Sequence, residues 1–263
     1  MAQEHTQLSV RGLNLHIAQV GKDELGTVVF LHGFPEIWYS WRHQMQAVAA
    51  AGDRAIAPDC RGYGLSDQPP EHEEPSWEDL VADVLAILDA LSIPKGFYPL
   101  RWRRPGRAEA DFGRYDIRRV VRTIYVLFSG REVPVAEQGQ ETMDLADGSA
   151  PLPEWFTEED LDVYAALYEN SGFGYPIKMP YGSLDKMATQ LEARFEVPVL
   201  MVMGEKDYVM KLPGFEAAVR GGMMAGFAPD LKVAFVPEGS HFVQEQFPAQ
   251  VNELLLGFLK DHP

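Results

Sequence analysis

One cysteine, Cys60, stands among 263 residues, so no internal disulfide is possible and a reducing compartment fits best. No apolar run approaches the ~20 residues of a membrane-spanning helix. The polar opening MAQEHTQ carries no signal-peptide pattern, and the localisation expected is cytoplasmic. Basic residues are scarce, 23 Lys and Arg against 39 Asp and Glu, for a net charge of −16. The acids are spread along the chain, with short clusters only at Glu71 to Glu74 and Glu158 to Asp160. Such a surface repels nucleic acid and anionic membranes, and neither is expected as a partner. No two of the seven histidines stand three or four residues apart, so helical metal-ligand spacing is missing and no metal or organic cofactor is expected. There is no internal repeat and no low-complexity tract.

What is present is enough apolar sequence, 46% of residues, for one large domain or a core with a lid. Its focus is Val28 to Trp41, VVFLHGFPEIWYSW. A continuous apolar run, Val28 to Leu31, reads as a strand covered on both faces. It leads into His32-Gly33-Phe34-Pro35, and in open α/β sheets ligands bind at the carboxyl ends of such strands. Taken alone, the same loop reads as readily as a Gly-Pro turn between strand and helix.

In chain order, Gln7 to Val20 alternates about Arg11-Gly12-Leu13-Asn14, the pattern of a β-hairpin at a sheet edge. Glu36 to Ala51 spaces Trp38, Trp41, Met45 and Val48 as one face of a helix ending at Gly52. Arg54 to Asp59 is a short buried strand, followed by the glycine-rich loop Arg61 to Ser66. Ser76 with Asp79 forms a capping pattern for a helix whose face is Leu80, Val84, Ile87, Leu88 and Leu91. Strand, helix, strand, helix is an α/β build.

The pattern then breaks. Ser92-Ile93-Pro94-Lys95 leads through Gly96-Phe97-Tyr98-Pro99 into the basic stretch RWRRPGRAEADFGRYD, and from there to about Gln190 the chain reads as helices and loops. The division expected is a core of residues 1–95 and 191–263 and a helical cap, or lid, of residues 96–190. The α/β signal resumes with a strand from Pro198 to Gly204, ending in Glu205-Lys206-Asp207. A second strand, Lys232 to Pro237, runs into Glu238-Gly239-Ser240-His241, and a last helix is expected from Val243 to Lys260.

Five stretches in this order, HGFPEIWYSWRHQ, DCRGYGLSD, YPLRWRRPGRAEAD, GEKDYV and EGSHFVQEQFP, resemble the soluble, plant-type epoxide hydrolases of the α/β-hydrolase superfamily. The resemblance implies an α/β-hydrolase fold, a mostly parallel sheet with a helical cap, and hydrolysis of an apolar epoxide to a vicinal diol by a monomer or homodimer. In that family a carboxylate attacks the epoxide carbon, and a His–Asp pair activates the water that cleaves the resulting ester. By resemblance His241 is the general base and Asp207 its orienting acid. Tyr98 and Tyr181 match the cap tyrosines that protonate the epoxide oxygen, a task a neutral phenol suits. The loop His32, Gly33, Phe34 and Pro35, with Trp38, would bind substrate, and the Phe34 N–H would supply half of an oxyanion hole. Read without the resemblance, His241 is more often a surface histidine, Asp207 a loop acid and the tyrosines cap packing.

The nucleophile is absent. No Gly, any residue, Ser, Asp or Cys, any residue, Gly occurs anywhere in the chain, although the superfamily sets its nucleophile on such a turn. Between Leu91 and Tyr98 a strand, the nucleophile turn, a helix and a strand should stand, on the order of thirty residues or more, where Ser92 to Phe97 supplies six. An internal deletion of one block accounts for this. It would leave the central sheet two strands short, with the strand of Val28 to Leu31 either pairing directly with that of Val199 to Met203 or separated from it by a gap of roughly 10 Å. Without the nucleophile the two-step route cannot run, and losing it removes about 10⁶ in turnover from a coupled catalytic unit. The readings are therefore an impaired epoxide hydrolase, a non-catalytic small-molecule-binding homologue, and an unstable truncated product.

Overall fold

The structure is a computed structural model and describes residues 2–22, 26–70, 76–91, 110, 112–130, 141–176, 195, 197–211 and 214–262. Packing divides the chain into two compact units, Met1–Val121 with Glu159–Thr189, and Arg122–Glu158 with Gln190–Pro263. Tyr98, Tyr181 and the stretch from Ser92 to Pro99 lie outside the described residues.

The first unit is built on a four-stranded sheet of order β1-β2-β4-β3, with β1 Glu4–Val10, β2 Leu13–Val20, β3 Thr27–Val29 and β4 Arg54–Pro58. The hairpin β1–β2 turns on Arg11 and Gly12, both at positive φ (47° and 86°), as a two-residue turn that matches strand twist requires. β2 pairs antiparallel with β4, and β3 pairs parallel with β4. Val10, Leu15, Ile17 and Ile56 meet Ile87 of α2, Trp77–Leu91, to form the core on one face. The start of α2 is capped as its sequence suggests: Ser76 Oγ accepts from the Asp79 N–H at 3.0 Å and donates to the Asp79 carboxylate at 2.8 Å.

Several boundaries differ from the sequence reading. β3 is three residues long, and Val28 and Val29 are half-buried rather than fully covered. Among the described residues β3 comes last in the order of its sheet and is paired with β4. The ladder continues one step beyond the strand, where the Phe30 N–H donates to the Ile56 carbonyl at 2.8 Å. The helix expected from Glu36 starts later, as a 3-10 turn Trp38–Trp41 followed by α1, Arg42–Ala50, although Trp38, Met45 and Val48 are buried as expected.

Between these elements, Gly21 (φ 87°) lies against Asp53 and Ala49, where a Cβ would sit 2.6 Å from the Asp53 carbonyl oxygen. α3, Ile117–Phe128, buries Val120, Val121, Ile124, Tyr125, Leu127 and Phe128, and the boundary between the units falls within it. α4, Glu158–Ser171, buries Leu161, Tyr164 and Tyr168.

The second unit holds a parallel pair, β5 Val199–Gly204 and β6 Leu231–Val236, in a separate two-stranded sheet. The crossover between them carries α5, Phe215–Arg220, as a parallel connection requires. Met203, Met210 and Val219 pack in one cluster, and Val236, Val243 and Val251 in another. The single last helix expected from Val243 is instead two, α6 Val243–Gln246 and α7 Pro248–Asp261. Pro248 explains the break. It has no N–H to bond back, its ring excludes a preceding helical turn, and it disfavours helical geometry at Phe247, which stands at φ −127°, ψ 58°. Among the described residues two strand pairings are antiparallel, both involving the N-terminal hairpin, and two are parallel, in keeping with the α/β build expected.

Candidate active site

In the second unit β5 and β6 end side by side, and the loops that follow them carry Asp207 and His241. Gly204 and Gly239 make this approach possible, since a Cβ on Gly204 would lie 2.2 Å from the Gly239 carbonyl oxygen. The Lys206 N–H donates to that same oxygen at 2.9 Å, and the Glu205 N–H to the Val236 carbonyl at 3.0 Å. These bonds hold Asp207 and His241 in register. His241 Nδ1 lies 3.1 Å and 3.2 Å from the two Asp207 carboxylate oxygens. Because an ionised carboxylate only accepts, the geometry assigns the proton to Nδ1 and leaves Nε2 as the basic nitrogen.

Asp207 is buried, 6% exposed, and its Oδ1 also accepts from the Val209 N–H at 3.0 Å. His241 is partly open, with 28% of its side chain exposed. The pair therefore has one nitrogen fixed by the carboxylate and a side chain that is partly open, an arrangement compatible with a general base.

The surroundings of His241 were not legible from spacing alone. Phe128, Tyr208 and Phe242 place their rings 6.0, 5.0 and 5.3 Å from the imidazole. Tyr208 follows Asp207 directly and Phe242 follows His241, so both neighbours were available in the motifs. Phe128, more than a hundred positions away, was not. Gln246 Oε1 accepts from both the N–H and the Oγ–H of Ser240, at 2.7 and 2.8 Å, and so ties the residue before His241 to α6. Behind it Tyr125 is stacked between Phe156 and Phe242, with ring centroids at 4.0 and 4.3 Å, and its hydroxyl donates to buried Glu245 at 2.8 Å. The stack fixes the ring next to His241.

The first unit holds the His32-Gly33-Phe34-Pro35 loop. The peptide Phe34–Pro35 is cis. Nε2 of buried His32 accepts from the Cys60 N–H at 3.0 Å, and Nδ1 donates to the Gly33 carbonyl at 2.8 Å. This pattern requires a neutral ring protonated at Nδ1. The Gly33 N–H donates to the Glu36 carboxylate at 3.3 Å. Phe34 stacks on Phe112, centroids 5.9 Å apart, and meets Phe173 edge-on. The Trp38 N–H donates to Asp59 at 2.9 Å, while its indole lies against His5, His16 and Tyr39. Trp38 is thus part of the packing around those histidines.

Burial lowers the pKa of His32, and the pull of Asp59 and the Gly33 carbonyl in the other direction does not overcome it. An unfolded His32 takes up a proton near its ordinary value while the folded one stays neutral, so stability is present above about pH 6.5 and is lost as pH falls from there towards the depressed value. The expected result is a urea midpoint that falls between pH 7 and pH 5, with a shallower fall in His32→Gln; an unchanged slope in that variant would remove His32 from the account.

Cys60, the one cysteine of the chain, is buried. Burial, with help from Asp59, pushes its thiol well above the ordinary range, so it carries no thiolate near neutral pH. Among the described residues there is no group of three or more His, Cys, Asp or Glu that could hold a metal ion. Among them, too, no helix is long and apolar enough to cross a membrane.

A family model for the alpha/beta hydrolase fold matches residues 26–98. Epoxide hydrolase 2 of Siraitia grosvenorii is 29% identical over 315 aligned residues, covering 98% of this chain and 98% of that protein. Among solved structures, a variant of Vigna radiata epoxide hydrolase superposes with a TM-score of 0.86 at 26% identity, covering 98% of this chain and 99% of that one. Potato (Solanum tuberosum) epoxide hydrolase I gives 0.83 at 26% identity, covering 99% and 100%.

Proposed function

Because the chain belongs to the epoxide hydrolases of the α/β-hydrolase superfamily, we propose that it descends from enzymes that open epoxides to vicinal diols and is itself catalytically disarmed. One observation carries the reading. The alignment with the Siraitia enzyme spans 98% of both proteins yet runs over 315 positions, where this chain has 263 residues. More than fifty aligned positions therefore have no residue of this chain opposite them, more than the thirty-odd residues that two strands and a helix occupy. The alpha/beta hydrolase match ends at residue 98, beside the place where the sequence pattern breaks. Together these support one block lost between Leu91 and Tyr98, with the nucleophile inside it.

In this reading His241 is the general base and Asp207 orients it. Tyr98 and Tyr181 are the proton donors to the epoxide oxygen. The Phe34 N–H contributes to the oxyanion site, and His32, Gly33, Pro35 and Trp38 shape the loop around it. Residues 1–95 and 191–263 form the hydrolase core and 96–190 the lid. The ligand is a small apolar epoxide or its diol, and the setting is cytoplasmic. The phenyl and phenol rings around His241 favour a second role as a small-molecule binder, which a disarmed site would retain.

The covalent intermediate distinguishes the readings. Acid quenching of the purified chain during incubation with styrene oxide, followed by intact-mass spectrometry, is expected to give no ester adduct. An adduct on an aspartate would overturn the proposal.

A further inference from the structure

Apart from the His241–Asp207 pair, the first unit contains a second chain of titratable groups, running from a buried carboxylate to the surface. Asp59 is fully buried at the end of β4, His16 is buried on β2, and His5 is exposed on β1. His16 Nδ1 lies 2.9 Å from Asp59 Oδ2, and His16 Nε2 lies 2.9 Å from His5 Nδ1. The two imidazoles have centroids 5.1 Å apart and planes inclined by only 14°. With nitrogens at 2.9 Å, those values place the rings end to end and nearly coplanar, in an in-line N–H···N bond. Since Asp59 only accepts, His16 carries its proton on Nδ1, its Nε2 accepts, and His5 Nδ1 donates.

Asp59 is also a hinge point for two loops. Its Oδ1 accepts from the Trp38 N–H at 2.9 Å, at the turn that follows the His32–Pro35 loop. Its Oδ2 accepts from the Leu65 N–H at 3.1 Å, in the glycine-rich loop. The next residue, Cys60, donates its N–H to His32. One carboxylate thus anchors both loops.

We propose that Asp59, His16 and His5 form a proton relay through which a proton taken up at the surface weakens the hold of Asp59 on the glycine-rich loop. The step balances. His5 gains a proton on Nε2 and passes its Nδ1 proton to His16 Nε2, and His16, now an imidazolium, keeps its Nδ1–H on Asp59 Oδ2. No hydrogen bond of the chain is broken, and the positive charge comes to rest against the carboxylate. Leu65 and His16 share Oδ2, so a charged His16 draws electron density from the acceptor that Leu65 uses, whereas Trp38 sits on Oδ1.

The charged or titratable groups that act on His5 are His16, from β2, and Asp59, from the loop after β4; the indole of Trp38, from the 3-10 turn, meets its ring at 4.9 Å. Burial, and then His16, lower the pKa of His5, against the pull of Asp59. His5 itself therefore takes up its proton below its ordinary value of about 6.5.

Amide hydrogen exchange of the full chain tests this. Protection at Leu65, corrected for the intrinsic rate, is expected to fall by about fivefold between pH 7 and pH 5.5, the scale of weakening one hydrogen bond, while Trp38 changes less. In His5→Gln, an exposed substitution that folding should tolerate, the Leu65 response is expected to disappear. Imidazole ¹⁵N shifts of the wild-type chain give a second readout, with His16 as the Nδ1–H tautomer at pH 7. An equal Leu65 response in His5→Gln, or a His16 that carries its proton on Nε2 at pH 7, would overturn the proposal.

Discussion

On the proposed reading, inserting a strand, nucleophile turn, helix and strand between Leu91 and Tyr98 is expected to raise turnover of a chromogenic epoxide by about 10⁶ over the chain as it stands. That ratio corresponds to about 8 kcal/mol of barrier, and its size follows from which parts are already in place. Asp207 fixes Nδ1 of His241 at 3.1 Å, and the backbone bonds between the loops after β5 and β6 hold both residues. On the proposed reading His241, with no carboxylate to esterify, has no ester to hydrolyse, and the chain is left with binding and oxyanion contributions alone. The insertion would supply the group on which, in that reading, the other residues depend. If the gain is under about a hundredfold while the restored chain folds, the deficit lies elsewhere in the site.

Asp83→Ala is expected to destabilise the first unit by about 3–5 kcal/mol, the cost of leaving a buried charge without its partner. Asp83 receives Arg61 through both oxygens, Nε to Oδ2 and Nη2 to Oδ1, the latter at 2.7 Å, and the two side chains are 2% and 5% exposed. Arg11 adds a further bond to Asp83 Oδ1 at 3.0 Å and reaches Asp79 at 2.8 Å. The cluster ties the hairpin turn, the glycine-rich loop and α2 together. Replacing both partners with apolar residues, Arg61→Met with Asp83→Leu, is expected to cost far less than the single change, because no unpaired charge remains. Urea denaturation of the three chains checks the pair; equal losses in the single and double variants would show that packing, not charge pairing, sets the cost.

The features legible in the sequence were those whose cause is local. Arg11 and Gly12 announce their turn because the hairpin requires positive φ there, and Ser76 with Asp79 announces a helix start because both partners lie within one turn. The His241–Asp207 pair was placed through resemblance, each residue just past a strand end. Pro248 carried a local signal that the reading of one long helix passed over. The rest depends on distant partners. The Asp59–His16 bond joins positions 43 apart, and Tyr125 finds Glu245 across 120 positions. No periodicity encodes such contacts, since they arise only when the sheets and helices assemble. β3 shows the converse limit. Its apolar run promised a strand covered on both faces, but coverage depends on neighbours that a strand's own residues do not specify.

The most direct test of the central claim is turnover of a chromogenic epoxide by the purified chain beside its His241→Gln variant, with cooperative thermal unfolding confirming that both are folded. The two are expected to give the same residual rate, because a chain that lacks a nucleophile gives His241 no ester to hydrolyse. A rate in the range of intact enzymes that collapses in His241→Gln would contradict it and mean that a working nucleophile is present.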